Sequence, residues 1–138
     1  MRQVFVDTSA WDALADSRDA HHELALLFRQ KITGRAQLVC TDYVLDELYT
    51  LLLLNIGYQA AVNFKNKLDI LIQERVLSIV WVTEAIAQEA WQVFKQFNTD
   101  KSWSFTDCVS YVVMKQRKIT EAFAFDHHFE QMGFSRVP

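Results

Sequence analysis

Residues 3–10 read Gln3-Val-Phe-Val-Asp-Thr-Ser-Ala10, a short run of β-formers that ends on an acid and two hydroxyls. Residues 122–126 follow the same plan as Ala-Phe-Ala-Phe-Asp. Apolar runs this short, without polar alternation, predict strands buried on both faces, as in a parallel sheet covered by helices. All strands of such a sheet end on one edge, and ligands bind in the crevice outside those ends. Asp7 and Asp126 are therefore expected on the same edge. A lone acid after a strand is commonly a helix cap or a turn residue, but two on one edge make a binding site a comparably good reading.

Beyond the first strand, the hydroxyls of Thr8 and Ser9 suit an N-cap for a helix over 10–16. A helix over 19–33 is predicted from the spacing of Leu24, Leu27 and Phe28, stopped by Gly34. A strand at 37–40 leads to a helix capped by Thr41 and closed by Gly57. Residues 58–74 read as another helix and 76–82 as a third strand, after which Thr83 caps a helix reaching Asn98. A polar loop follows. Ser104-Phe-Thr-Asp107 matches a capping box and opens a helix to Lys118. Strands at 122–125 and 134–137, with a helical turn between them, complete the chain. The order β-α-α-β-α-α-β-α-α-β-α-β predicts an α/β fold: a parallel, doubly wound sheet of four to five strands, helices on both faces, and one domain over residues 1–138.

Composition narrows the function. Of the 138 residues, 51% are hydrophobic and 13% aromatic, which excludes a disordered chain. The net charge of -3 offers no broad positive surface, so any nucleic-acid contact must be local. The three glycines, Gly34, Gly57 and Gly133, are too far apart for a dinucleotide or P-loop fingerprint. Cys40 and Cys108 read as reduced thiols in a core, and no signal peptide or long apolar segment is visible. A soluble cytoplasmic protein is expected, with no membrane contact.

Two more acids stand out. Glu47 lies i+3 from Val44 and i−4 from Leu51, so it borders the apolar stripe of its helix, whereas Asp46 lines up with Asp42, Tyr43 and Thr50 on a more polar side. A carboxylate beside a core-facing stripe is costly unless paired or bound to a cation. Asp107 closes the capping box near the positive end of its helix dipole, and one carboxylate oxygen can cap while the other binds a cation.

At these positions the sequence resembles a PIN-domain ribonuclease, of the kind found as the toxin in VapBC toxin–antitoxin pairs. The resemblance rests on Val-Asp-Thr-Ser-Ala at 6–10, Tyr-Val-Leu-Asp-Glu-Leu at 43–48, Trp-Ser-Phe-Thr-Asp-Cys at 103–108 and Phe-Ala-Phe-Asp-x-His-Phe at 123–129. Each motif alone is weak; in this order and spacing they span essentially the whole chain. The resemblance implies four site acids, falling on Asp7, Glu47, Asp107 and Asp126. It also implies a divalent metal, cleavage of single-stranded RNA, a homodimer, and an antitoxin that inserts a peptide near the acids.

Four converging carboxylates need cations, and all-oxygen ligands favour Mg²⁺ or Mn²⁺ over zinc. One or two such ions, roughly 3.5–4 Å apart if paired, would activate water and stabilise the leaving oxygen. Asp7 and Asp126 are expected as direct ligands, with Glu47 and Asp107 binding directly or through water. The hydroxyls of Thr8, Ser9 and Thr106 are placed to orient these acids or touch phosphate, although capping alone would account for Ser9. Of the doublets His21-His22 and His127-His128, only His128 is placed to reach substrate. Lys101, Trp103 and Arg18 are expected in loops near the acids, where they could contact phosphate or stack a base. Leu51–Leu54 covers every side of its helix, so one of the four must face a partner or a deeper core. Two other readings compete. A Mg²⁺-dependent phosphohydrolase of haloacid-dehalogenase type would need a second Asp at position 9, where Ser9 stands. A catalytically silent PIN-like RNA- or protein-binding module would be signalled by missing acids, and none is missing.

Overall fold

Five strands form one parallel sheet: β1 (Arg2–Val6), β2 (Ala36–Thr41), β3 (Leu77–Val80), β4 (Glu121–Phe123) and β5 (Ser135–Val137). Their order is β3-β2-β1-β4-β5 in this computed structural model, which describes residues 1–138. Between β1 and β2 come α1 (Thr8–Ala15) and α2 (His22–Ile32), and between β2 and β3 come α3 (Asp42–Ile56) and α4 (Tyr58–Gln73). After β3, α5 (Glu84–Phe97) and α6 (Phe105–Arg117) carry the chain to the other side of β1, and α7 (His128–Gln131) joins β4 to β5. The winding therefore reverses between β1 and β4, and a crevice opens outside their carboxyl ends.

Val4, Phe5 and Val6 are consecutive and all fully buried, so both faces of the central strand are covered. They join one continuous core of 35 buried residues that runs from β1 through α3 and α6 to Phe129. Thr41 and Thr83 cap α3 and α5 as expected, their hydroxyls accepting from the backbone N–H groups of Val44 and Ile86. Ser104 and Asp107 form both halves of the capping box at α6. Gly57 separates α3 from α4 at φ +93, a left-handed position that costs a side-chain-bearing residue energy. No helix is long and apolar enough to cross a membrane.

The differences from expectation have side-chain causes. The third strand stops at Val80, not residue 82, because the Val82 N–H donates to Asp42 Oδ1. The fourth stops at Phe123, not residue 125, because the Phe125 N–H donates to Ser9 Oγ. The second helix begins at His22, not residue 19, because Asp19 Oδ1 accepts the His21 N–H and builds a turn there. Within the leucine run, Leu52 is buried and Leu51 half-buried, whereas Leu53 and Leu54 are 51% and 75% exposed. Two leucines, not one, face away from the core.

Candidate active site

Asp7 leaves β1 at the sheet edge and becomes the N-cap of α1. Its Oδ2 accepts the Ser9 N–H at 3.2 Å and the Ser9 Oγ–H at 2.7 Å. The cap is thus the carboxylate itself, not the Thr8 or Ser9 hydroxyl. Ser9 Oγ also accepts the Phe125 N–H at 3.0 Å, so one hydroxyl ties the end of β1 to the chain leaving β4. That bond holds Asp7 beside Asp126. Asp107, in the first turn of α6, accepts the Ser104 N–H on Oδ2 at 3.1 Å, and His128 Nδ1 meets the same oxygen at 2.6 Å. Asp126 Oδ1 accepts the backbone N–H of His128 at 3.0 Å.

These groups line a cleft of about 360 Å³ that also receives Glu47 and Leu51 from α3 and Thr8 and Asp12 from α1. All four acids singled out from the sequence are there. Glu47 is half-buried and Asp46 exposed, as the helical geometry requires. Asp12 is the acid that sequence reading missed. It follows Thr8 by one helical turn, so a helical wheel of 8–15 would have placed both on the cleft side. Thr8 is buried with its Oγ1 unpartnered.

Other expectations need correction. Thr106 does not line the cleft. Trp103 cannot stack on a base: it is 2% exposed, packs on Phe97, and donates Nε1–H to Gln131. Arg18 reaches the Asn55 carbonyl and pairs with Asp16, and Lys101 pairs with Asp100; neither lines the cleft. His22 bonds the Ala13 carbonyl and His21 stacks on Phe125, so only His128 of the four histidines reaches the acids.

Five carboxylates and no Lys or Arg line the cleft. Burial first, then the charge of Asp126, pushes the Asp7 carboxyl well above its ordinary value, against the opposing hydrogen bond from Ser9. Burial also raises Asp107, offset by the charge of His128 and the Ser104 N–H. Asp12 is raised by burial and by Asp19 and Asp16. At ~5 Å and an effective dielectric of about 20, one pair of like charges costs on the order of 3 kcal/mol. Asp7, Asp107 and Asp126 each engage one carboxylate oxygen in these protein hydrogen bonds, leaving the other for a ligand. Donor atoms of Asp107, Asp126 and His128 lie within 4.8 Å of one another. Oriented hard oxygens with unbalanced charge fit a divalent cation.

The fold and the cleft define an α/β protein with a cluster of carboxylates that could hold a metal ion at the point where its sheet reverses winding. The chain belongs to the PIN domain family, which it matches over residues 4–135. It is 33% identical over 135 residues, 97% of both chains, to the 23S rRNA-specific endonuclease VapC20 of Mycobacterium tuberculosis. The crystal structure of that protein, described as a Sarcin-Ricin loop cleaving toxin, superposes with a TM-score of 0.80 at 30% identity over 95% of each chain. The chain is also 28% identical over 128 residues, 91% of its length and 78% of the relative's, to a VapC ribonuclease of Archaeoglobus fulgidus. FitAcB from Neisseria gonorrhoeae shares the fold, with a TM-score of 0.66 at 16% identity over 98% of this chain and 96% of that one.

Proposed function

We propose that this protein is a divalent-metal-dependent endoribonuclease that hydrolyses RNA phosphodiester bonds, acting as the toxin of a toxin–antitoxin pair. The observation that carries the reading is the convergence of Asp7, Glu47, Asp107 and Asp126 on one cleft, in a chain a third identical to an rRNA endonuclease. Asp7, Asp107 and Asp126 would hold Mg²⁺ or Mn²⁺ through their free oxygens, with Glu47 completing the set from α3. When bound, a divalent cation supplies Lewis acidity toward a phosphodiester and lowers the pKa of a water molecule. Ser9 keeps Asp7 oriented through two hydrogen bonds, and the capping box does the same for Asp107. With no Lys or Arg lining the cleft, the scissile phosphate would draw its counter-charge chiefly from the cation.

The presence of every site acid favours an enzyme over a silent binding module. The two buried, unpaired thiols suit a reducing cytoplasm. The exposed Leu53 and Leu54, with Tyr58 beyond them, suit a protein partner, whether an antitoxin or a second copy. The purified protein should cleave mixed RNA in Mn²⁺ and not in EDTA, and Glu47→Gln should abolish cleavage while Asp46→Asn retains it. Equal activity with and without chelator would refute the metal-dependent reading.

A further inference from the structure

We propose that His128 is a positioning residue of this cation site: its ring and its backbone clamp Asp107 and Asp126 into one ligand-presenting face. The inference rests on the metal-site reading above and adds to it a residue outside the four acids. His128 Nδ1 lies 2.6 Å from Asp107 Oδ2, and its N–H lies 3.0 Å from Asp126 Oδ1. Asp107 belongs to α6 and Asp126 to the segment after β4, and His128 contacts both carboxylates. The 2.6 Å separation lies at the short limit of a charge-assisted N–H···O hydrogen bond. Two ligands sharing one ion would stand further apart, because each metal–donor bond is itself about 2 Å and the donors repel. A ring with a proton on Nδ1 donates it to Asp107 Oδ2, and that proton is what the clamp requires.

The clamp spends the Asp107 Oδ2 lone pairs on Ser104 and His128, which would leave Oδ1 as the oxygen to hold a cation. The core has little use for the imidazole, whose side chain is 30% exposed, while the adjacent Phe129 is fully buried and anchors α7. Removing the ring should therefore leave the fold intact and loosen the ligand set.

The test is Mn²⁺ binding to the full chain, by titration calorimetry and by paramagnetic resonance of the bound ion. His128→Ala should weaken Mn²⁺ by about 10–100-fold, the usual penalty for losing a hydrogen-bond partner of a metal ligand. His128→Asn sets an amide N–H where Nδ1 stands and should restore most of that affinity. His128→Gln, whose amide stands where Nε2 does, should not. Wild-type Mn²⁺ should show no nitrogen hyperfine coupling from the ring. Unchanged affinity in His128→Ala, or rescue by Gln and not Asn, would overturn the proposal. A nitrogen coupling would likewise overturn it, by making the ring a direct ligand. A wild-type protein that takes up no Mn²⁺ would overturn the cation site itself, a failure distinct from those three.

Discussion

Helix α1 separates two regions with opposite energetics. Thr8 and Asp12 look into the acid cleft, whereas Trp11 and Leu14 look into an apolar groove of about 390 Å³ against Leu26 of α2 and Phe64, Leu68 and Leu71 of α4. In the groove, burial itself holds the apolar anchors Trp11 and Leu68 in place. Trp11 is 2% exposed and meets Phe64 edge-on with ring centroids 6.3 Å apart, and Leu68 is 1% exposed. In the cleft, burial works against the charge of Asp7, Asp12 and Asp107 and raises their pKa values. The acids stay because the ends of β1 and β4, the Ser9 bridge and the α6 capping box leave them nowhere else to go. Groove residues support the fold; cleft residues are supported by it.

The sharpest way to break the contrast is to remove one cleft charge. Asp7→Asn keeps an N-cap, since Asn caps as well as Asp, but deletes a charge with no cationic neighbour. RNA cleavage should fall by more than the ~10–100-fold typical of losing a partner of a ligand, while the melting temperature in EDTA rises. Millimolar Mn²⁺ should then stabilise wild type by mass action and the variant far less. A variant that melts below wild type in EDTA would mean that the acids carry no mutual strain.

The opposite sign is expected across the helix. Leu68→Ala should cost about 2–5 kcal/mol of stability, as for other buried leucines, and leave Mn²⁺ affinity unchanged in the folded protein. Denaturant melts beside a Mn²⁺ titration would separate the two effects.

A smaller effect concerns pH. An acid whose folded pKa is raised binds protons more readily folded than unfolded, so it destabilises the fold fully above the raised value and not at all below the unfolded one. The stability deficit of apo wild type against Asp7→Asn should therefore shrink as pH falls from about 7 toward the ordinary carboxylate range. A gap independent of pH would show that Asp7 is not raised. The smallest effect is expected at Asp46→Asn, one residue from Glu47 yet exposed. Its stability should stay within about ±0.5 kcal/mol, with RNA cleavage retained. A substantial loss of cleavage would remove the distinction between the two neighbours.

Much of this was legible before any coordinates. The uninterrupted runs at 3–6 and 122–125 announced doubly covered strands, and Thr41, Thr83 and Ser104 marked helix starts because a side-chain oxygen must meet the first free N–H groups. Asp7, Glu47, Asp107 and Asp126 were placed by strand ends, helical angle and a capping box, all local signals. Asp12 was missed although its spacing from Thr8 is local too. Trp103 and Arg18 were misread because a loop's sequence does not show which way its side chains turn: Trp103 turned into the aromatic cluster around Phe97, and Arg18 across to the end of α3.

The sequence by itself therefore determined the element types and the parallel sheet, and it marked four acids that line one cleft, from apolar runs, helical angle and capping over a few residues. Only the tertiary structure decided that Ser9 spends its hydroxyl bridging two strands and so ends β4 early. It also decided that His128 meets Asp107 across 21 residues of chain, and that no Lys or Arg lines the cleft. Such pairings form between segments brought together by the shared core, and hydrogen-bond reach between distant residues leaves no spacing in a sequence to read.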